Sequence, residues 1–237
     1  QYAFLFGQFS DPTPFPDCDG LFAEFEVAYR LRQKYIIRKN RKIVTEAIWP
    51  LLTFKYKTGV PNVLGTEADF DFIGFEVKDK LNLKAFGESN YKFEAGQFLA
   101  KKNMRLIESR FFRTSDKYFF SDPIQSLQTL DTSLNTSNNY IQLNFIHHFK
   151  GLFLNKVWLL NKLKLEETIG GGALLIPDAN FSLAEVYVGL ERKFRIRKQL
   201  FKLGFYTVAN ANSIDKASLG WKIGINFFDS FNNSWQY

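Results

Sequence analysis

The sequence predicts an all-β chain that folds as an antiparallel transmembrane β-barrel. Apolar and polar residues alternate over long segments, as in Phe22–Arg32 and again in Leu219–Phe227. Because successive side chains of a strand point to opposite faces, each segment has one apolar and one polar face. The chain also contains 27 phenylalanines among its 237 residues, interleaved with charges, which favours a lipid-facing surface with aromatic girdles. The alternative fold is a soluble β-sandwich with a phenylalanine-rich core.

The sequence lacks the signals of a membrane helix, a signal peptide and a nucleic-acid-binding protein. No segment reaches the ~18 consecutive apolar residues of a membrane helix. The sequence does not open with the basic and then apolar segments of a signal peptide, so we expect a mature chain or the C-terminal part of a longer protein. The net charge of +7 comes without a recognition helix or an RNA-binding motif, and we expect no nucleic-acid partner.

Ten strands are predicted from two-residue periodicity between turn signals. Their ranges are 2–9, 21–35, 48–58, 69–81, 86–98, 138–149, 162–174, 183–193, 198–209 and 217–228. We expect residues 1–237 to form one barrel domain, the C-terminal part of a larger barrel of about sixteen strands.

The second and fourth predicted strands have features of their own. In the second, one face would be a charged wall toward the lumen, formed by Glu24, Glu26, Arg30 and Arg32. In the fourth, Phe70 and Phe72 are out of phase with Phe75 and Val77. A β-bulge near residues 73–74 would bring all four onto one face, and we expect one there.

The connections between the strands have unequal lengths. Outer-membrane barrels have short periplasmic turns, longer external loops and, as a rule, a periplasmic C-terminus. Counting back from the last strand assigns 36–47, 81–86, 150–161 and 193–198 to the periplasmic side. The connections 10–19, 59–68, 99–137, 174–182 and 210–216 are then external.

The segment 99–137 is the longest predicted loop, external or folded into the lumen. A loop of this length without secondary structure is uncommon in a compact soluble domain, whereas in a barrel it can fold over the mouth or into the lumen. Its charges are interleaved with aromatic residues, and its candidate functional residues are Arg110 and Arg113. We expect the loop to be ordered against acidic residues of the inner wall. The alternative is a disordered external loop.

No motif in the sequence predicts catalysis, cofactor binding or a metal site. His147 and His148 are adjacent on a strand and therefore point to opposite faces, so they cannot readily bind one metal ion together. Gly170–Gly172 lack the lysine and the helix of a phosphate-binding loop, and we expect a strand kink or close packing instead. Cys18 is the single cysteine. We expect a protein without enzymatic activity.

One segment resembles a known family. Phe145–Leu165 contains a His-His-Phe-x-Gly-x-Phe-x-Asn-Lys pattern that is similar to a segment of large Bacteroidota outer-membrane proteins of unknown function. Three further segments, Trp49–Gly59, Tyr91–Gly96 and Gly220–Phe228, also resemble that family. The resemblance implies a C-terminal barrel behind an N-terminal carboxypeptidase-regulatory-like domain.

The barrel of that family in turn looks similar to the BAM and TAM type of outer-membrane insertases and translocases. Those barrels have about sixteen strands and a long loop that precedes the last five strands, as 99–137 does here. Their loop carries a Val-Arg-Gly-aromatic motif. Here only Arg110-Phe-Phe-Arg113 is present, so either arginine could replace the arginine of that motif.

These observations lead to three hypotheses about function. The first is a bacterial outer-membrane barrel with a role in protein assembly, translocation or scaffolding, whose C-terminus is periplasmic. The second is a passive pore or surface receptor, and the third is a soluble carbohydrate-binding sandwich. The partners expected for the first are outer-membrane lipids, lipopolysaccharide and other outer-membrane proteins or lipoproteins.

Overall fold

The computed structural model describes residues 20–38, 41–47, 49–63, 65–130, 134–197, 199–213, 217–229 and 234–236. In chain order the strands are β1 (Phe22–Arg30), β2 (Gln33–Arg38), β3 (Arg41–Ala47), β4 (Leu51–Gly59), β5 (Asp69–Asn82), β6 (Glu88–Asn103), β7 (Arg110–Phe111), β8 (Asn135–Thr136), β9 (Tyr140–His148), β10 (Leu165–Ile176), β11 (Phe181–Ile196), β12 (Gln199–Asn212), β13 (Ser218–Asp229) and β14 (Ser234–Gln236). Helical structure in these ranges is limited to α1 (Trp158–Asn161) and four single 3-10 turns. None of these described helices has the length and apolarity that crossing a membrane requires.

Ten of the strands form one antiparallel sheet, in the order β1-β4-β5-β6-β9-β10-β11-β12-β13-β14. The strands β2 and β3 pair only with each other, as do β7 and β8. The prediction of an all-β antiparallel fold is therefore confirmed. The sheet is open over the described ranges, since no backbone pairing joins β1 to β13 or β14.

Eight of the ten predicted strands correspond to β4, β5, β6, β9, β10, β11, β12 and β13. The predicted strand 2–9 lies outside the described residues. The predicted strand 21–35 is wrong in extent: β1 ends at Arg30 and a turn follows at Leu31 and Arg32, where Arg32 has a φ of 49°. The 36–47 connection is instead part of the β2–β3 hairpin, which two-residue periodicity missed because Tyr35, Ile36 and Ile37 are consecutive apolar residues.

The predicted bulge near residues 73–74 is also wrong. The register between β5 and β6 shifts between Asp69 and Phe70 and between Asp71 and Phe72. Phe72 packs toward Tyr140, with ring centroids 6.5 Å apart, whereas Phe75 is exposed on the opposite face. Phe72 and Phe75 of β5 lie on opposite faces of the sheet, so their change of phase does not require a bulge between them.

The two faces of the sheet differ in polarity. In a water-soluble protein the apolar face is buried and the charged face is exposed, whereas here the reverse holds. On one, here called the apolar face, large hydrophobic side chains are exposed; examples are Val186 (63%), Phe205 (52%) and Ile225 (60%). On the other, the covered face, charged side chains are buried, and Glu191 and Lys202 are each 1% exposed. The alternation predicted for Leu219–Phe227 matches this pattern, since its even-numbered residues from 222 are buried and its odd-numbered ones are exposed.

The core lies between the covered face and the long connection from β6 to β9. This connection, residues 104–139, is here called the long loop, and it begins after Asn103 rather than at residue 99. It contributes Phe112, Leu127 and Leu130 to one buried cluster with the sheet. Phe120 and Ile124 join a second buried cluster with Tyr187 and Tyr206 of the sheet, among others. The long loop is thus the second layer of the core.

Candidate functional site

The long loop is fixed to the covered face by a buried carboxylate. Glu185 of β11 is 3% exposed. Its Oε1 accepts a hydrogen bond from the backbone N–H of Gln128 at 2.7 Å, and its Oε2 accepts from the N–H and Oγ1 of Thr129, each at 2.8 Å. Buried backbone donors need partners, so this carboxylate satisfies two N–H groups at the centre of the loop.

A glycine in the neighbouring strand makes room for this contact. A Cβ atom on Gly172 of β10 would lie 2.8 Å from Cδ2 of Leu127 and 3.1 Å from Oε1 of Glu185. Any larger residue would push the loop or the carboxylate away. The sequence predicted a kink or close packing at Gly170–Gly172, and the described structure shows close packing at Gly172.

The long loop contacts the sheet from its middle strand β9 to β13, near one edge. Near β9, Asn144 Nδ2 donates to the carbonyl oxygen of Pro123 at 3.0 Å. At β13, Lys222 Nζ donates to Ser115 Oγ at 3.0 Å. The backbone of β13 also takes part, because the N–H of Phe120 donates to the Ile223 carbonyl at 2.9 Å. The prediction of an ordered loop is confirmed over the described residues.

The turn beside this contact is stabilised by Asp116. Its Oδ1 accepts hydrogen bonds from the backbone N–H groups of Tyr118 at 2.7 Å and Phe119 at 3.0 Å. These bonds favour the ionised form and hold the pKa of the Asp116 carboxyl below its usual range. The turn positions Tyr118, whose carbonyl oxygen accepts from the Ile223 N–H at 2.8 Å.

The two arginines predicted as loop candidates occupy one cavity but have different partners. Arg110 Nη2 lies 2.6 Å from Oε1 of Glu94, which also accepts from the hydroxyl of Tyr140 at 2.7 Å. Arg113 Nη1 instead donates to Oε1 of Gln125, within the loop, at 3.0 Å. Both line a cavity of about 310 Å³. Arg110 is thus the arginine that joins the loop to the sheet.

The four residues predicted as a charged wall are not equivalent. Glu26 pairs with Lys55 of β4 at 3.2 Å, and Lys55 lines the cavity that contains Arg110. Arg30 lines a second cavity, of about 730 Å³. Glu24 is exposed on β1, opposite Lys57 in the register. Arg32 lies in the turn after β1, so it is not part of the strand's charged face.

A deeply buried polar cluster around Glu191 was not among the predicted site residues. Glu191 Oε1 accepts from Lys202 Nζ at 3.2 Å and from the hydroxyl of Tyr206 at 2.6 Å. Nδ1 of His148 lies 3.2 Å from Oε2 of the same carboxylate. The signal was present in the sequence: Lys202 lies between two apolar residues on the polar phase of β12, and Glu191 lies on the polar phase of β11.

The ring of Tyr206 on the covered face lies over glycines of its own strand β12 and of the adjacent strand β11. A Cβ atom on Gly189 would come within 2.2 Å of Cδ1 of Tyr206, and one on Gly204 within 2.6 Å of the same ring. Phe120 of the long loop stacks on Tyr206, with ring centroids 3.7 Å apart. Because these glycines have no side chains, the tyrosine ring lies flat against the sheet, and the long loop packs on this ring.

His147 and His148 point to opposite faces of β9, as the sequence predicted, and each has its own hydrogen-bond partners. His147 Nδ1 is 2.6 Å from Ser89 Oγ, and its Nε2 is 3.0 Å from the carbonyl oxygen of Phe86. With both ring nitrogens engaged and no carboxylate in the arrangement, this serine–histidine contact lacks the geometry of an activated nucleophile. Over the described ranges, no group of three or more histidine, cysteine or acidic side chains is placed to hold a metal ion.

Comparison with known proteins gives one match. A family model described as the C-terminal domain of a family of unknown function (DUF5686) matches residues 7–190. No curated protein matches the chain, and no solved structure does.

Proposed function

The chain belongs to the family of unknown function DUF5686, whose C-terminal domain it matches, and we propose that it forms part of the wall of a transmembrane β-barrel in a bacterial outer membrane. The observation that supports this is the reversed polarity of the sheet. Fully burying a valine, leucine or phenylalanine contributes about 1.5–3 kcal/mol, so a folded protein in water would cover such side chains. Here large apolar side chains of β11, β12 and β13 are exposed on one face, whereas charged Glu191 and Lys202 are buried on the other.

The lengths of the strands agree with the proposal. A tilted transmembrane strand needs about 9–11 residues. The strands β10 and β13 each have 12 residues, and β11 has 16. The exposed apolar residues also form a surface shared by adjacent strands, since Phe205 of β12 lies opposite Ile223 of β13 in the register. Single exposed apolar residues are ordinary, but a continuous surface of them marks an interface with lipid or protein.

The open sheet supports a larger barrel. Unpaired backbone groups at a strand edge are costly in lipid, so spanning sheets close on themselves. Because β1 does not pair with β13 or β14 in the described residues, we propose closure through further strands, to about sixteen. The proposal includes a Bacteroidota origin, an N-terminal carboxypeptidase-regulatory-like domain, a distant similarity to BAM- and TAM-type barrels and a periplasmic C-terminus.

Under this proposal the long loop lies inside the barrel, which favours an assembly, translocation or scaffold role without enzymatic activity over a passive pore. The long loop occupies the covered face from β9 to β13 and is fixed by Glu185, Asn144 and Lys222. A passive pore needs a continuous water-filled path, which a packed loop blocks. The partners of such a barrel would be outer-membrane lipids, lipopolysaccharide, and other outer-membrane proteins or lipoproteins.

Two measurements test this proposal in order. The full-length protein should require detergent for extraction from membranes, and its electrophoretic migration should change on heating; extraction by carbonate alone contradicts the barrel. Depletion in cells should then reduce the amounts of other outer-membrane or surface proteins. If depletion leaves them unchanged and the purified barrel conducts ions in planar bilayers, the pore hypothesis replaces the assembly role.

A further inference from the structure

The two ends of the sheet differ in charge. In an antiparallel sheet of this order, the connections 31–50, 83–87, 149–164 and 197–198 lie at one end, here called the basic end. Their described residues include eleven lysines and arginines and one glutamate. The connections 60–68, 104–139, 177–180 and 213–217 lie at the other end, and their described residues include four basic and five acidic ones. Positive charge is thus concentrated at one rim of the proposed barrel.

The connection 149–164, here called the foot, has a defined structure at the basic end. Oε1 of Glu167 accepts hydrogen bonds from the N–H groups of Phe153, at 3.2 Å, and Leu154. The Glu167 carbonyl oxygen accepts from the N–H of Phe149 at 2.9 Å. Lys150 Nζ donates to Glu88 Oε1 at 2.6 Å. Strand residues on both sides therefore fix the position of the foot.

A column of rings joins the foot to the apolar face. Phe145 of β9 is exposed on that face. Two residues further, the ring of His147 contacts Phe149 at a centroid distance of 4.3 Å, and Phe149 contacts Phe153 at 5.2 Å. His147 can take part in an apolar column because both of its ring nitrogens already have partners. The foot thus continues the surface proposed to face lipid.

The outer surface of the foot combines exposed apolar side chains with lysines. Trp158 is 74% exposed, and Phe153, Val157 and Leu163 are exposed as well. Lys156, Lys162 and Lys164 are exposed, and none of them has an acidic partner among the described residues. Lys162 Nζ lies 5.6 Å from the centre of the Trp158 ring. Tryptophan and lysine together are typical of segments at the membrane–water interface.

We propose that the foot lies in the headgroup layer of the membrane and binds anionic phospholipid. Trp158 and Phe153 would enter the boundary between headgroups and acyl chains, while Lys156, Lys162 and Lys164 contact lipid phosphates. The proposal rests on the proposed function, because it requires the apolar face to be in lipid. It adds a lipid class, a binding segment and the depth of that segment in the bilayer.

The depth of the foot is tested with single-tryptophan variants of the full-length protein. Each retains one of Trp158, Trp221 and Trp235, with the other tryptophans replaced by phenylalanine. In vesicles brominated near the headgroup or near the bilayer centre, Trp158 should be quenched most by the shallow bromines. Trp221 lies on the apolar face and should be quenched in both kinds of vesicle. Trp235 should be quenched in neither, because its ring lies 5.2 Å from Lys202 Nζ on the covered face.

The lipid class is tested with phosphatidylglycerol and the variant Lys156→Gln/Lys162→Gln/Lys164→Gln. A basic residue near an anionic surface contributes about fivefold in affinity, so the triple variant should retain much less phosphatidylglycerol in native mass spectrometry. The control is Lys101→Gln/Lys102→Gln/Lys117→Gln at the opposite end, where all three lysines are exposed. It should retain as much as the unmodified protein.

The outcomes separate the two proposals. Quenching of Trp221 without quenching of Trp158 overturns the foot and leaves the barrel intact. Absence of quenching at Trp221 overturns the barrel itself. Equal retention of phosphatidylglycerol and phosphatidylcholine, or a preference for lipopolysaccharide over phosphatidylglycerol, overturns the assignment of anionic phospholipid.

Discussion

At the scale of single residues, the buried pair of Glu191 and Lys202 is the most sensitive point of the interior. Each side chain is 1% exposed, so loss of one partner leaves the other charge buried. Removing one member of a buried ion pair typically costs about 3–5 kcal/mol. We expect Lys202→Ala to lower the temperature at which the heat-modifiable band converts to its unfolded form.

The matched control for that substitution is Lys102→Ala. Lys102 also has an acidic partner, Asp69 at 3.4 Å, but its side chain is 78% exposed. Exposed ion pairs contribute about 0–1 kcal/mol, so this variant should behave as the unmodified protein does. If both variants lower the transition equally, burial of the pair is not the source of its importance.

The glycines beneath Tyr206 give a second prediction. Gly189→Ala places a Cβ atom 2.2 Å from the tyrosine ring, which must then move away from Phe120. We expect loss of stability and greater protease sensitivity of the long loop. Gly220→Ala in β13 is the control, because nothing lies within 4 Å of the added atom. Equal sensitivity of the two variants would contradict the proposed fit between ring and glycine.

Residue roles were predictable from the sequence only where they depend on local spacing. The face to which each residue from Lys222 to Phe227 of β13 points follows from alternation, and so do the opposite faces of His147 and His148. The contact of Arg110 with Glu94 links residues from different elements, and no local pattern distinguishes Arg110 from Arg113. The predicted bulge depended on the assumption that all aromatic residues of a strand share one face, and Phe72 and Phe75 lie on opposite faces.

At the scale of elements, the long loop depends on Glu185. Glu185→Ala removes the acceptor of three hydrogen bonds and leaves the N–H groups of Gln128 and Thr129 without it. An unsatisfied buried polar group costs about 1–3 kcal/mol. We expect hydrogen exchange to accelerate throughout residues 104–130 while the amides of β11 and β12 stay protected.

Glu67→Ala is the control for that variant. Glu67 pairs with Arg105 at 2.9 Å, at the edge of the same loop, where its side chain is largely exposed. It should change exchange only near Arg105. A Glu185→Ala protein with an unchanged exchange profile would show that the loop is held by packing alone.

The strands were predictable as elements, and the small paired segments were not. Eight predicted strands match, most clearly β9 and β11, where buried and exposed residues alternate as the sequence does. The β2–β3 hairpin and the short β7–β8 pair lie outside the large sheet. The sequences of β2 and β3 do not alternate, and β7 and β8 have only two residues each. The course of the long loop depends on contacts between residues more than fifty positions apart, such as Thr129 and Glu185.

At the scale of the whole molecule, the filled interior predicts little ion conduction. Replacing residues 106–133 by a short glycine–serine linker removes the second layer of the core. In planar bilayers we expect this variant to conduct strongly and the complete protein weakly. The control replaces residues 213–217, at the same end of the sheet, with a linker of equal length. High conductance of the complete protein would contradict the role of the loop as a plug.

The central claim is that the apolar face of the sheet contacts lipid, and site-directed spin labelling along β11 tests it most directly. Each residue from Ala184 to Glu191 is replaced by a labelled cysteine in turn, in a Cys18→Ser background, and the protein is reconstituted in vesicles. We predict high accessibility to oxygen at Ala184, Val186, Val188 and Leu190, and low accessibility at the residues between them. Uniform accessibility along the strand, or accessibility to a water-soluble nickel reagent at Val186 and Val188, would contradict a lipid-facing wall.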